Sequence, residues 1–266
     1  MNSSFIFRAL SAPLLAFLAL LAPAQQRGDG EIMRSFVSTR GTEVVTKRTK
    51  SRRNRPNTIG LGYTLFMKNE NGYPARVNAS RKFREGNAVR FMIESNVDGY
   101  LYVFHTENDG PPKMLFPDHL SKRGDNRIKA HVPYEAPSRY VKNRPEGLWI
   151  GFDEKEATER FYIVVTREPL PEVKTGDGLI AYCRENLEKC PWQPPASVWS
   201  GLLAEAQAPA LVSQSRTSGQ TQTRAERIAA NRGVKVIRDA PAPSVVKLSK
   251  SPGAKMLVAM VALDHK

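Results

Sequence analysis

One stretch constrains the fold of this chain more than any other: residues 99–110, running on to Met114-Leu115-Phe116-Pro117. Tyr100, Leu101, Tyr102, Val103 and Phe104 are aromatic, β-branched or large and apolar, and only His105 breaks the run. Such a stretch reads as a strand covered on both faces. Asn108-Asp109-Gly110 then supplies a turn, with Gly110 offering positive φ and Asn108 and Asp109 bonding their own backbone. A second short apolar run ends at Pro117. The pair predicts a central β-hairpin.

Around that hairpin the chain reads as short strands separated by turn residues. Ile59, Leu61, Tyr63 and Leu65 alternate with small or polar residues. Val89, Phe91 and Ile93 alternate with Arg90, Met92 and Glu94, the pattern of a sheet with one wet face. Residues 128–132, 148–152 and 161–166 continue the series, with Asn71-Gly72, Gly124-Asp125-Asn126 and Pro145-Glu146-Gly147 among the turns between. This predicts a mainly β fold, an antiparallel immunoglobulin-like sandwich over residues 58–171. Residues 172–206 read as a short helical extension carrying both cysteines. Residues 207–255 read as a flexible linker with a brief helix at 224–231, capped by Thr223 and stopped by Gly233. Residues 256–264, unbroken and apolar up to Asp264, are expected to return to the sheet as a C-terminal strand.

Residues 1–24 have the parts of a secretory signal: Arg8, an apolar run over 9–21, and the small residues Ala22-Pro23-Ala24. The run is shorter than the roughly 20 residues of a bilayer span. Cleavage near Ala24 and a periplasmic or secreted mature chain are therefore expected. The net charge of +14 belongs to the flanks. Residues 25–57 carry nine Lys or Arg against three Asp or Glu, and residues 207–266 carry ten against three. Residues 25–57 are expected to be an open, disordered basic segment. Within it Lys47, Arg48, Lys50, Arg52, Arg53 and Arg55 are candidate contacts for an anionic polymer or membrane surface. These runs lack interleaved aromatics, which argues against nucleic acid as the partner.

Cys183 and Cys190 are the two cysteines of the chain. An oxidising compartment favours a disulfide between them. In one unbroken helix their Cα atoms would stand roughly 10 Å apart, beyond the ~7 Å that a disulfide allows. Either the helix ends before Cys190, as Pro191 favours, or the thiols stay free.

Catalytic signatures are absent: there is no Gly-x-Ser-x-Gly elbow, phosphate loop, dinucleotide fingerprint or His-Glu-x-x-His. Asp118, His119 and His105 have no standard metal-ligand spacing, and Asp118-His119 reads as a surface turn. No catalytic residue, metal or cofactor is assigned. Asp153, Glu154 and Glu159 belong to the densest carboxylate cluster, where acid–base hydrolysis of an envelope glycan or peptide would have to reside.

The residues Asn96-Val97-Asp98-Gly99-Tyr100-Leu101-Tyr102-Val103-Phe104, Asn108-Asp109-Gly110, Leu115-Phe116-Pro117, Asp125-Asn126-Arg127 and Pro133 share a further property. With residues 149–152 and 159–170 they resemble the bacterial domain-of-unknown-function family 4384, over residues 61–170. The resemblance implies an extracytoplasmic β-rich accessory module, in some proteins joined to peptidase or kinase domains, and carries over no catalytic residues. The expected role is a non-enzymatic interaction module of the cell envelope with a protein partner. That partner would meet loops 106–113 and 117–125, with Asn108, Asp109, Gly110, Asp118 and His119 as candidate contacts. The alternatives are a binder of anionic envelope polymer through the basic flanks and an envelope hydrolase.

Overall fold

The computed structural model describes residues 22–40, 57–120, 124–138 and 147–266. Most of the signal segment and the whole basic cluster from Lys47 to Arg55 lie outside the described residues. In chain order the elements are α1 (Ala22–Ser38), β1 (Gly60–Lys68), β2 (Pro74–Arg76), β3 (Ala88–Ser95), β4 (Gly99–Glu107), β5 (Lys113–Phe116), β6 (Arg127–Ile128), β7 (Tyr134–Ala136), β8 (Ile150–Gly151) and β9 (Ala157–Thr166). There follow α2 (Gly176–Glu185), α3 (Ala196–Ala206), β10 (Ala210–Gln214), α4 (Arg224–Arg232), β11 (Val245–Ser249) and β12 (Met256–His265).

These strands form two antiparallel sheets packed as a sandwich. One has the order β10-β11-β1-β3-β7, with β2 beside β1 and β8 beside β3; the other runs β12-β9-β4-β5, with β6 beside β4. The sequence expectation of a mainly β sandwich holds. The C-terminal strand returns as expected and pairs along its whole length with β9, from Met256 opposite Thr166 to His265 opposite Ala157.

Strand β4 shows why its sequence is apolar throughout. Successive side chains point to opposite faces. Leu101 and Val103 join Leu61, Phe91, Ile163 and Val261 between the sheets. Tyr102 and Phe104 point the other way, against Leu179 of α2, Leu202 of α3 and Trp192. The turn after β4 corrects one detail. Positive φ falls on Asn108 (45°) and Asp109 (62°), not on Gly110. Gly110 serves by closeness instead, since its N–H donates to the Glu107 carbonyl at 2.7 Å. A Cβ there would lie 2.9 Å from that oxygen.

Gly99 is constrained more tightly still. Where β4 opens beside β9, a Cβ on Gly99 would stand 2.1 Å from the Thr166 carbonyl oxygen. Gly99→Ala is expected to force the two strands apart and cost about 1–3 kcal/mol. A lower urea midpoint at unchanged m-value would report it; an unchanged midpoint would show that β4 can shift freely.

Three expectations need correction. First, β3 has no wet face: Arg90, Met92 and Glu94 are all buried. Each charge there has a partner, Arg90 with Glu135 at 3.3 Å and Glu94 with Arg40 and His131. Second, residues 25–57 are not open throughout, because α1 occupies 22–38. Phe36 is buried against Gly60 and Gly62 of β1, where added Cβ atoms would come within 3.0 and 3.1 Å of its ring. Bare glycine at alternate positions makes the seat. Third, residues 207–255 are not a flexible linker. All five residues of β10 pair with β11, and β11 pairs with β1. The Ser/Gln/Ala-rich stretch 208–222 around β10 misleads because an edge strand is held by backbone bonds, not by burial; Leu211 and Val212 stay exposed. The helix α4 is as predicted, with a Thr223–Glu226 capping box and Gly233 left-handed at its end.

Candidate functional site

Strand β5 is the edge of the second sheet, and β7 and β8 flank β3 in the first. Between these edges, and closed on a third side by α2 and the segment after it, lies a cavity of about 310 Å³. One wall is Met114, Leu115, Pro117, His119 and Leu120. Leu148, Trp149, Ile150 and Pro137 form a second, and Leu179, the two cysteines, Pro191 and Trp192 a third.

The third wall is fastened twice. The Met114 N–H donates to the Trp192 carbonyl at 2.9 Å, so the segment occupies bonding capacity on the free edge of β5. Cys183 and Cys190 are joined as a disulfide with Cα atoms 5.2 Å apart. The bond is possible because α2 ends at Glu185 and a single 3-10 turn, Leu187–Lys189, brings the chain back. Pro191 follows that turn, as the sequence favoured.

The structure brings together Asp118, His119, Cys183 and Cys190. Nδ1 of His119 is 3.4 Å from Cys190 Sγ and 3.4 Å from Asp118 Oδ1. Asp118 Oδ1 accepts the Leu120 N–H at 2.8 Å, which shapes the turn and leaves the Leu120 side chain 57% exposed at the rim. Asn108, Asp109 and Gly110 are not part of this site. The β4–β5 register puts them at the opposite end of the hairpin, where Asn108 exchanges bonds with Thr158 and Asp109 pairs with Arg160 at 3.0 Å. The two candidate partner loops therefore do not form one face.

The candidate hydrolytic carboxylates have unlike surroundings. Asp153 and Glu154 are exposed, and Asp153 accepts the Lys155 N–H at 3.0 Å. Glu159 is buried between two imidazoles, one oxygen against His105 Nε2 and the other 3.2 Å from His265 Nε2. Burial opposes its ionised form, but hydrogen bonds and charge from His105 and His265 outweigh that and hold its carboxyl below the usual glutamate range. A carboxylate so engaged is a poor general acid.

Sequence reading missed the aromatic walls. Trp149 reads as a strand core residue, and Trp192 as part of the segment joining two short helices. Trp149 is instead half-buried, with the Arg90 guanidinium 4.1 Å and the Lys68 ammonium 5.2 Å from its ring centre. Pairing of Trp192 with the cleft required knowing that its carbonyl docks on β5.

Residues 82–169 match a family defined by a domain of unknown function, DUF4384. This segment carries the central hairpin and agrees with the likeness read from residues 96–170, although the match begins at 82 and not at 61. No curated protein and no solved structure matches the chain. The DUF4384 segment runs from just before β3 to just after β9, so it lacks β1 from the middle of one sheet and β12 from the edge of the other. It also divides the cleft. The walls from β5 and β8 lie inside DUF4384, whereas Leu179, Cys183, Cys190 and Trp192 lie beyond it. No helix among the described residues is long and apolar enough to cross a membrane.

Proposed function

We propose that the mature chain is an extracytoplasmic, non-enzymatic interaction module of the bacterial cell envelope that receives an apolar segment of a partner protein in the cleft. The observation that carries this reading is the cleft itself: apolar and aromatic on three sides, with Asp118-His119 as a polar rim and Leu120 exposed beside it. A preformed apolar cavity with few polar groups is the usual form of a binding site. Fastening by a disulfide and a backbone bond keeps the ordering cost of binding low. The signal-like residues 1–24 support an extracytoplasmic destination.

A photo-reactive residue at position 120, in the oxidised mature protein in its native envelope, tests the reading. The expected result is a defined cross-linked protein that disappears when Leu148→Arg fills the cleft and is not obtained from position 109. Cross-linking from position 109 alone, or capture abolished by salt and by deleting residues 47–55, would reject the cleft. The second of these outcomes would favour binding of anionic polymer through Lys47, Arg48, Lys50, Arg52, Arg53 and Arg55.

A further inference from the structure

One covalent bond separates the cleft from a metal-ligand set. His119 Nδ1 and the sulfurs of Cys183 and Cys190 all lie within 4.8 Å of one another. No other three donors from His, Cys, Asp and Glu converge so closely among the described residues. Two thiolates and an imidazole are donors that Zn²⁺ takes in tetrahedral sites, at about 2.3 Å from sulfur and about 2.0 Å from nitrogen. Donors around such an ion stand roughly 3.4–3.8 Å apart by simple tetrahedral geometry. His119 Nδ1 already has that separation from Cys190 Sγ, at 3.4 Å. The two sulfurs, bonded to each other, have to part, and Cys183 Sγ stands within 4.8 Å of the imidazole.

The surroundings suit an ion. Asp118 Oδ1 is 3.4 Å from the same imidazole nitrogen, so a negative charge stands beside the cation's place. Cys190 and His119 are only half-buried, which leaves a path from solvent. The backbone does not depend on the disulfide alone, since Asp118 holds the Leu120 N–H and the Trp192 carbonyl holds the Met114 N–H.

We propose that the reduced protein binds a thiophilic divalent cation, of the Zn²⁺ class, through Cys183, Cys190 and His119, and that the disulfide excludes it. A dithiol reductant opens the bond: two electrons and two protons pass to the two sulfurs, and the reductant becomes a disulfide. Cation binding then releases the two thiol protons to solvent as both sulfurs become thiolates. Exchange with an oxidising disulfide passes two electrons from the thiolates to the oxidant, restores the Cys183–Cys190 bond and expels the cation, and the oxidant takes two protons from solvent to leave as a dithiol. Disulfide and cation compete for the same sulfurs, so the cleft is a redox-gated metal site.

The test is anaerobic titration of the purified chain with Co²⁺ after reduction by a phosphine. The expected result is thiolate-to-cobalt charge-transfer absorption saturating at one equivalent, displaced by Zn²⁺ and absent from the oxidised protein. His119→Ala should weaken binding by at least about ten-fold. The Cys183→Ser/Cys190→Ser protein should keep its near-ultraviolet circular dichroism and give no band. The proposal is overturned if the reduced, folded protein with two titratable thiols gives no band. It is equally overturned if His119→Ala binds as well as the parent, or if reduction abolishes the near-ultraviolet signal, because the site then does not exist in the reduced state. Cross-linking from position 120 uses oxidised protein, so failure here and failure of the cleft as a partner site are read separately.

Discussion

Glu226→Ala is expected to destabilise the protein by about 3–5 kcal/mol, because it strands a buried cation and removes the side-chain half of a capping box in one step. The Arg76–Glu226 pair has no solvent exposure on either side chain. One Glu226 oxygen receives Arg76 Nη2, while the other accepts the Thr223 N–H and the Thr223 hydroxyl, both at 2.8 Å. The Glu226 N–H returns a bond to Thr223 Oγ1 at 3.2 Å, completing the capping box of α4. Arg76 ends β2, and its guanidinium lies 5.2 Å from the Phe66 ring centre. Without the carboxylate, that charge faces an aromatic ring and the Thr221 carbonyl, 3.5 Å from Nη1. Burial makes the loss large, whereas the same truncation in an exposed pair would cost about 0–1 kcal/mol. Urea unfolding followed by tryptophan fluorescence measures it. Arg76→Met/Glu226→Leu should recover most of the loss, since an apolar pair carries no desolvation penalty. A Glu226→Ala loss below 1 kcal/mol would mean that water reaches Arg76.

These buried pairs also mark where sequence reading stopped. Period-two alternation located β1 and β3, and unbroken apolar runs located β4 and β9, because local patterning suffices for residues that pack between the sheets. It failed on the outward residues of β3, since whether Arg90 and Glu94 meet water depends on elements far along the chain. Arg40 and Glu94 are 54 residues apart, and Arg76 and Glu226 are 150 apart. Charge in the flanks was read as solvated, yet Arg40 is one of the largest fully buried side chains. The cleft was legible in part. The disulfide and the Asp118-His119 turn each had a local signal, but their meeting across 71 residues had none. The aromatic walls became a site only when Trp192 was placed on β5.

Glu94→Gln is the second large expected loss, again about 3–5 kcal/mol, with a pH signature of its own. Glu94 Oε1 accepts Arg40 Nε at 2.9 Å and lies 2.7 Å from His131 Nδ1, and Oε2 accepts Arg40 Nη2 at 2.5 Å. Arg40 Nη1 donates to the Ala240 and Pro241 carbonyls at 3.0 and 3.2 Å, and His131 Nε2 meets the Thr39 hydroxyl at 2.7 Å. One carboxylate thus ties the end of α1, strand β3, the turn at His131 and the segment before β11. The amide keeps the volume but leaves the Arg40 charge buried without its counterion. Burial works against an ionised Glu94, yet hydrogen bonds and charge from His131 and Arg40 together outweigh it, so its carboxyl titrates below the ordinary value. A carboxyl depressed in the folded state contributes fully above its unfolded value of about 4.3. That contribution is lost as pH falls through the lower folded-state value. Glu159 and Asp264 are depressed in the same direction and steepen acid unfolding in both proteins, so the difference between parent and Glu94→Gln is the quantity to follow. The gap in urea midpoint should be widest near neutrality and shrink below about pH 4.3. Protease cleavage near the end of α1 should rise in the variant before global unfolding begins. A gap that stays constant through the acid range would show that the Glu94 charge does not hold α1 to the sheet.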